Sequence, residues 1–97
     1  MRFEWDDKKE EANIRKHGID FSTAALVFND ENRLDLYDEI HSESEDRYIT
    51  IGMVGGIAYV VFVVYTERED IIRLISARKA TRLERSLYYD YSQRNRS

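Results

Sequence analysis

The sequence predicts an α+β fold in which a small antiparallel sheet is packed by two N-terminal helices and one C-terminal helix. Two observations predict it. The middle of the chain holds three segments rich in β-branched and aromatic residues, with turn signals between them, as neighbouring antiparallel strands do. Towards both ends, capping residues precede apolar residues at helical spacing. We expect the 97 residues to form a single domain over 1–97, with a polar tail at 92–97.

Local signals define the first strand and the first helix. Residues 2–5 alternate polar and apolar side chains, which predicts an edge strand. Asp6 or Asp7 is suited to cap the helix that follows, and Glu10 stands three residues after Asp7, as in a capping box. Gly18 is a natural residue to end this helix.

Two further helices are predicted from apolar spacing. The second helix carries a core-facing stripe and is ended by the polar residues 29–32. That stripe consists of Phe21, Ala24, Ala25 and Phe28. The C-terminal helix begins at Thr81, where Glu84 completes a capping box. Its apolar stripe packs on the sheet or on a partner, and it consists of Leu83, Leu87 and Tyr91.

The middle of the chain predicts a series of antiparallel strands. The predicted strands are 33–40, 47–54, 57–66 and 71–78, with a polar loop at 41–45. Gly55-Gly56 predicts a two-residue hairpin turn that pairs Val54 with Ile57. The next turn lies within 67–70 and is expected to pair Thr66 with Ile71.

These predicted registers bring two arginines into one row. Arg47 and Arg73 both fall opposite Val64, at the margin of an apolar face. Like charges across a sheet repel each other, so packing alone has little use for this row, whereas an anion would satisfy both guanidinium groups. The alternative for each arginine is a surface ion pair with one of three nearby acids: Asp46, Glu67 or Asp70.

Side-chain alternation assigns the other strand residues to faces. The face that ends in the arginine row, which includes Ala77, is expected to be the apolar core. Arg78 falls on the second face together with three tyrosines: Tyr48, Tyr59 and Tyr65. Such tyrosines stack bases in some RNA-binding sheets, but more often they pack under a helix, and we favour packing.

Composition narrows the classes of function. The chain has no cysteine and two histidines, which excludes a disulfide framework and a thiolate metal site and favours a reducing compartment. The longest apolar run, 57–65, is too short to span a bilayer as a helix, and the N-terminus does not resemble a signal peptide. We therefore expect a cytoplasmic protein with no membrane contact, no metal and no cofactor.

Charge is unevenly distributed, although the formal net charge is only −4. Residues 29–46 carry eight acids and one arginine, whereas residues 68–97 carry eight bases and four acids. Binding to nucleic acid depends on local patches, so the net acidity does not exclude such a partner. The acidic segment is either a solvated loop or a surface that receives a basic partner.

Read together, four segments resemble the BrnT family of bacterial toxins. They are Phe3-Glu-Trp-Asp6, Asn13-Ile-Arg-Lys-His-Gly18, Asp46-Arg47 ahead of Gly52, and Val63-Val-Tyr-Thr-Glu-Arg68 leading into 73–80. Their order and spacing carry the resemblance from about residue 3 to residue 90. Asp46 stands where the family pattern leads us to expect glutamate, and the loop 31–45 does not align with it.

The resemblance implies a RelE-like fold and the toxin of a type II toxin–antitoxin system. It implies a metal-independent endoribonuclease that cleaves RNA and inhibits translation until an antitoxin neutralises it. The implied partner is a BrnA-like antitoxin in a 2:2 heterotetramer, and the complex would bind operator DNA only through that antitoxin.

RNA cleavage without metal uses the 2′-hydroxyl as nucleophile on its own phosphodiester. The enzyme supplies a base, cations for the phosphorane and an acid for the leaving 5′-oxygen. Arginine suits the phosphate, so we assign this role to Arg47 and Arg73. Lys16 and His17 are the acid–base candidates, although both residue types also merely stabilise helix C-termini.

The remaining candidates are assigned to binding. Lys9, on one polar face with Asn13 and Lys16, is expected to bind RNA, as is Tyr88. Arg68 and Arg78 are assigned to RNA or to the antitoxin. His41, in the acidic loop, is interpreted as structural or inert.

A second class of function competes with the toxin. In this alternative the chain is a non-catalytic protein-binding module, or a decayed toxin, whose arginine cluster binds an acidic segment of a partner. The two classes differ in whether loss of Arg47 or Arg73 removes RNA cleavage or only weakens a protein complex.

Overall fold

A five-stranded sheet forms the centre of the molecule, with helices on both faces. The computed structural model describes residues 1–55 and 59–95. Along the chain the elements are β1 Arg2–Glu4, α1 Asp7–His17, α2 Phe21–Ala25, a 3₁₀ turn Leu26–Asn29, β2 Leu34–Tyr37, β3 Tyr48–Met53, β4 Val60–Arg68, β5 Ile71–Lys79 and α3 Arg82–Asn95. The strand order is β1-β5-β4-β3-β2, and only the β1–β5 pair is parallel. The predicted α+β class is confirmed.

The main core lies between the sheet and the α1–α2 side. The predicted stripe of the second helix is buried there, although the helix itself ends at Ala25 and continues as the 3₁₀ turn. From the sheet, the core takes Val61, Val63, Tyr65, Ile72, Leu74 and Ala77. This is the face opposite to the one expected to hold the core. A smaller cluster around Ile51, Val60 and Tyr88 lies under α3 and leaves the rest of that face open.

The caps of α1 are partly as predicted. Asp6 is the N-cap, and its side chain accepts from the Lys8 N–H, while Gly18 ends the helix with a φ of 73°. The predicted capping box is wrong, because the Glu10 carboxylate instead accepts from the Phe21 N–H at 2.9 Å. Glu10 therefore connects α1 to the start of α2.

Both predicted hairpin registers are wrong by two residues, in the same direction along β4. Met53 pairs with Val60, and the two-residue glycine turn is replaced by the connection 54–59, of which residues 56–58 lie outside the described part. Val54 lies beyond the last pair of this ladder, and its side chain is buried in the main core. Arg68 pairs with Ile71 around a two-residue turn in which Glu69 has a φ of 55°.

A β-bulge in β5 changes which residues face α3. Tyr65 pairs with Leu74, whereas Val64 pairs with Ser76, so Ile75 is the extra residue. Beyond the bulge the alternation is inverted. Ala77 therefore faces the main core, and Arg78 lies over the Phe62 ring at 3.9 Å on the α3 side. The predicted faces of Ala77 and Arg78 are consequently wrong.

One buried asparagine attaches α1 to the sheet. The Asn13 side-chain amide donates to the Ala77 carbonyl at 2.8 Å and to the Ile19 carbonyl at 2.9 Å, and its oxygen accepts from the Ala77 N–H at 3.0 Å. Strand β1 pairs with β5 only as far as Arg73. The Ala77 peptide therefore lacks a strand neighbour on this side, and Asn13 satisfies it instead.

The tyrosines pack, as expected. Tyr65 is buried, with its ring edge-on to Phe28 and stacked on Tyr48, and Tyr59 packs against the same core. Burial raises the pKa of the Tyr65 hydroxyl to about 12, helped by the nearby Asp35 carboxylate.

Helix α3 is fixed at its start by the predicted capping box. The Thr81 N–H donates to Glu84 Oε1 at 2.8 Å, and the Glu84 N–H donates to Thr81 Oγ1 at 3.2 Å. The predicted stripe does not pack on the described part of the sheet, because Leu83, Leu87 and Tyr91 are all exposed. Tyr88 and Ser92 are buried instead. Residues 92–95 of the predicted tail continue the helix.

Within residues 1–55 and 59–95, none of the helices is both long and apolar enough to cross a membrane.

Replacing Asn13 with alanine should lower the free energy of unfolding by about 3 kcal/mol, because the buried Ala77 N–H and carbonyl lose their partner. Urea unfolding followed by circular dichroism measures this change. Asn29→Ala, at an exposed position, is the matched control and should stay within about 0.5 kcal/mol of the native chain. An equal effect of both variants would contradict the role of Asn13.

Replacing Glu84 with glutamine should remove a pH-dependent part of stability. The hydrogen bond from the Arg78 guanidinium holds the pKa of the Glu84 carboxyl below its usual range. A depressed folded-state pKa stabilises the fold above the unfolded-state pKa, and this contribution is lost as pH falls through the folded value. The native chain should therefore exceed Glu84→Gln by about 1 kcal/mol at pH 7, and the difference should vanish in acid. Urea midpoints over a pH series test this, with Asp90→Asn as control.

Candidate functional site

Two arginines and a lysine meet where the open face of the sheet reaches α1. Arg47, just before β3, and Arg73 of β5 line one recess together with Thr66 of β4 and Lys9 of α1. His41 lies in the same recess, which we call the arginine recess. Because both registers shift by two residues in the same direction along β4, the predicted arginine row survives with Thr66 in place of Val64.

The Arg47 backbone is fixed, whereas its side chain has no acidic partner within residues 1–55 and 59–95. The Arg47 carbonyl accepts from the Asp38 N–H at 2.9 Å, and the Arg47 N–H donates to Ser42 Oγ at 2.8 Å. The guanidinium group forms no ion pair with the described residues. An anion entering the recess therefore meets a guanidinium group on a fixed backbone, with no ion pair to a described residue that must first be broken.

Arg73 has a distant acidic neighbour. Its Nη1 lies 3.6 Å from Glu4 Oε1, and the Arg73 side chain is 44% exposed. An ion pair this long and this exposed contributes little. The three acids expected as alternative partners form no ion pair with Arg47 or Arg73 in the described part of the chain.

A second recess continues from the first along α1. It is lined by Lys9, Asn13, Lys16, His17 and the bulge residue Ile75, and we call it the α1 recess. Lys9 and Ile75 line both recesses, so the two adjoin, and we call them together the groove. Lys16 lies about 10 Å beyond Lys9 along the helix axis, which places the acid–base candidates in the groove but two turns from the arginines.

The acidic loop between β2 and β3 folds against the arginine recess. Ser42 Oγ donates to the Asp38 carbonyl at 2.6 Å, which joins the two ends of the loop. Glu45 binds Arg68 Nε at 2.7 Å, and Asp46 accepts from the Tyr37 hydroxyl at 3.0 Å. The segment is therefore an ordered wall of the groove that places carboxylates beside its cations.

Two of the predicted binding residues do not join this groove. Arg78 donates to both oxygens of Glu84, at 2.8 and 3.0 Å, and these hydrogen bonds raise its pKa. Tyr88 is buried, and its hydroxyl donates to Asp30, which also accepts from the Met53 N–H. Tyr88 thus lies towards the Met53 end of β3, whereas the arginine recess lies at the Tyr48 end. Arg68 borders the recess and is largely exposed.

Thr66 and His41 are among the residues of the arginine recess that the sequence did not identify. Thr66 was not identified, because the predicted register placed Val64 between the two arginines. His41 was set aside with the acidic loop, yet it lines the recess and its ring contacts Asp38. The one sequence signal for this pair is the i, i+3 spacing of Asp38 and His41, which is too common to identify a site by itself.

Across the described residues, no group of three or more histidine, cysteine, aspartate or glutamate side chains is arranged so that it could hold a metal ion.

The fold and the groove define a small α+β protein with a cationic cleft beside its sheet. A family profile described as "Ribonuclease toxin, BrnT, of type II toxin-antitoxin system" matches residues 5–84. The chain therefore belongs to the BrnT family of ribonuclease toxins, which have an antitoxin partner. No curated protein matches the chain.

Replacing Glu45 with glutamine should strengthen binding of a short single-stranded RNA about two- to fivefold, because one carboxylate beside the groove cations is neutralised. Fluorescence anisotropy at low and at physiological salt measures this, and the gain should shrink with salt. Glu11→Gln, at an exposed position of α1, is the control with the same charge change. Equal gains in both variants would show that only net charge matters.

Proposed function

We propose that this chain is the metal-independent endoribonuclease toxin of a type II system. In this proposal the RNA backbone enters the groove, and its 2′-hydroxyl attacks the adjacent phosphodiester. Arg47 and Arg73 stabilise the phosphorane from two sides, and Lys9 binds the strand where the two recesses join. The observation that carries the proposal is the convergence of Arg47 and Arg73 on one recess, with the Arg47 guanidinium unpaired among the described residues.

Electrostatics explain why arginine fits this step. A phosphorane carries more charge than the phosphodiester from which it forms, so fixed cations stabilise it more than the substrate. The guanidinium group stays charged at all relevant pH values and donates two parallel hydrogen bonds to phosphate oxygens.

The proposed biology follows from the family. We propose that the toxin cleaves RNA in the cytoplasm, so that translation is inhibited. A BrnA-like antitoxin neutralises it in a 2:2 heterotetramer, and the complex binds operator DNA through the antitoxin alone. Because several carboxylates line the groove, the free toxin should bind arbitrary RNA weakly.

The roles of four other residues remain predictions. Lys16 and His17 are the predicted groups for proton transfer, and their place in the α1 recess also suits contact with the strand next to the scissile phosphate. Arg68 is suited to RNA or antitoxin binding because it is exposed beside the arginine recess. Tyr88 would reach RNA only if α3 moved, since its ring is buried.

One observation favours the alternative of a protein-binding module. Glu4 and Glu45 already lie against Arg73 and Arg68, so the cations of this region accept carboxylates as well as phosphates. An acidic segment of a partner would bind in the same way.

Alanine substitution of Arg47 or Arg73 tests the proposal. Each variant should lower the rate of RNA cleavage on the order of 10²–10³-fold, because a fixed donor to the phosphorane is lost. The assay uses purified toxin, a short labelled RNA and excess EDTA, and it identifies 2′,3′-cyclic phosphate and 5′-hydroxyl ends. Arg82→Ala, an exposed arginine at the start of α3, is the matched control and should cleave normally.

Two results would contradict the proposal. Loss of RNA cleavage in the presence of EDTA would show that the reaction requires a metal ion. Intact RNA with the folded native chain, together with weaker antitoxin binding by Arg47→Ala and Arg73→Ala, would support the protein-binding module instead.

A further inference from the structure

A histidine–aspartate pair in the arginine recess has no role in the cleavage step described so far. The ring nitrogen Nδ1 of His41 lies 3.0 Å from Asp38 Oδ2 and 3.2 Å from Asp38 Oδ1. The backbone N–H of His41 donates to Asp38 Oδ1 at 3.3 Å. The Asp38 side chain is only 11% exposed, whereas that of His41 is 64% exposed. A largely buried carboxylate thus holds one edge of an accessible imidazole.

The carboxylate also fixes the tautomer of the neutral ring. An ionised carboxylate only accepts hydrogen bonds, so Nδ1 carries the proton and donates it to Asp38. Nε2 is then left with its lone pair, and it forms no hydrogen bond with the described residues. A neutral imidazole oriented in this way is a proton acceptor.

The loop that carries His41 also positions Arg47. Ser42 Oγ donates to the Asp38 carbonyl and accepts from the Arg47 N–H, and the Arg47 carbonyl accepts from the Asp38 N–H. The imidazole and the Arg47 guanidinium group are therefore presented to one recess by one closed loop. A phosphodiester bound by Arg47 would bring its adjacent 2′-hydroxyl into the same space.

Both signs of charge face His41 within the recess. The loop contributes Glu43 and Glu45 to the recess, besides the Asp38 carboxylate that contacts the His41 ring. Helix α1, the start of β3 and β5 contribute Lys9, Arg47 and Arg73.

We propose that His41 is the general base of the RNA cleavage proposed above, and that Asp38 is its positioning residue; this inference rests on the proposed function. Nε2 takes the proton of the 2′-hydroxyl while the O2′–P bond forms and the P–O5′ bond breaks. The leaving O5′ takes up a proton from solvent, and the imidazolium returns its proton to solvent. The products are a 2′,3′-cyclic phosphate and a 5′-hydroxyl end.

The first test replaces His41 with glutamine in the full chain and measures kcat/KM over a pH series. His41→Gln should lose about 10²–10⁴-fold at neutral pH and should also lose the rise of rate with pH that a base produces. Asp38→Asn should show a smaller loss in kcat with little change in KM. Glu39→Gln removes a neighbouring exposed carboxylate of the same loop and should leave kcat and KM unchanged.

The second test separates a base from an acid. A 5′-bridging phosphorothioate substrate has a leaving group that needs no proton, so His41→Gln should remain slow on it. Added imidazole should restore part of the activity of His41→Ala but none of that of Arg73→Ala. Thermal unfolding of all variants establishes that they are folded.

Each contrary result overturns a definite statement. If His41→Gln cleaves at the native rate while Arg73→Ala does not, the inference fails and the proposed function stands. Full recovery of His41→Gln on the phosphorothioate would make His41 an acid and overturn the role as base. Loss of RNA cleavage in His17→Gln, together with native activity of His41→Gln, would assign the general base to the α1 recess. A folded native chain that leaves RNA intact would overturn both proposals.

Discussion

The attachment of α1 to β5 through Asn13 is the interaction on which the geometry of the groove depends. Helix α1 has little apolar surface, and Ile14 is exposed, so hydrophobic burial alone does not fix its position. Two hydrogen bonds between the Asn13 amide and the Ala77 peptide replace the missing strand neighbour. They hold the helix against the sheet, with Lys9 beside Arg73. The buried Asn13 amide thus holds the polar helix α1 in the position where it forms one side of the groove.

The acidic loop is the second feature on which the site depends, because the protein has a net charge of −4 and yet brings arginine and lysine side chains together in one recess. Its hydrogen bonds fix the backbone of Arg47, while Glu45 is engaged with Arg68 rather than with Arg47. The surrounding carboxylates limit the long-range attraction of arbitrary polyanions, whereas the guanidinium groups of the recess act at short range. Selectivity for a correctly seated phosphate is the expected consequence.

Comparison of expectation and structure shows which kinds of sequence signal are reliable. Gly18 and the Thr81–Glu84 capping box act over a few residues and were predicted correctly. Both hairpin registers were wrong, because the β3–β4 ladder ends at the Met53–Val60 pair and the β4–β5 ladder extends to the Arg68–Ile71 pair, which differs from the turns that the local residues predict. The arginine row was still predicted, since both errors displaced β4 by an even number of residues and so preserved its faces.

The sequence by itself determined the fold class, the Gly18 and Thr81–Glu84 helix caps, the family and the residue types that a phosphate site needs, because these depend on local spacing. Only the tertiary structure decided which face holds the main core and that Arg78 serves α3 rather than the groove. It also placed His41 beside the arginines. The core face is the one on which α2 and the 3₁₀ turn pack. A single bulge residue in β5 inverts only the later side chains of that strand, Arg78 among them, and a loop closed by Ser42 brings distant residues together. Neither the bulge nor the loop closure produces a pattern of apolar and polar residues that could be recognised in the sequence.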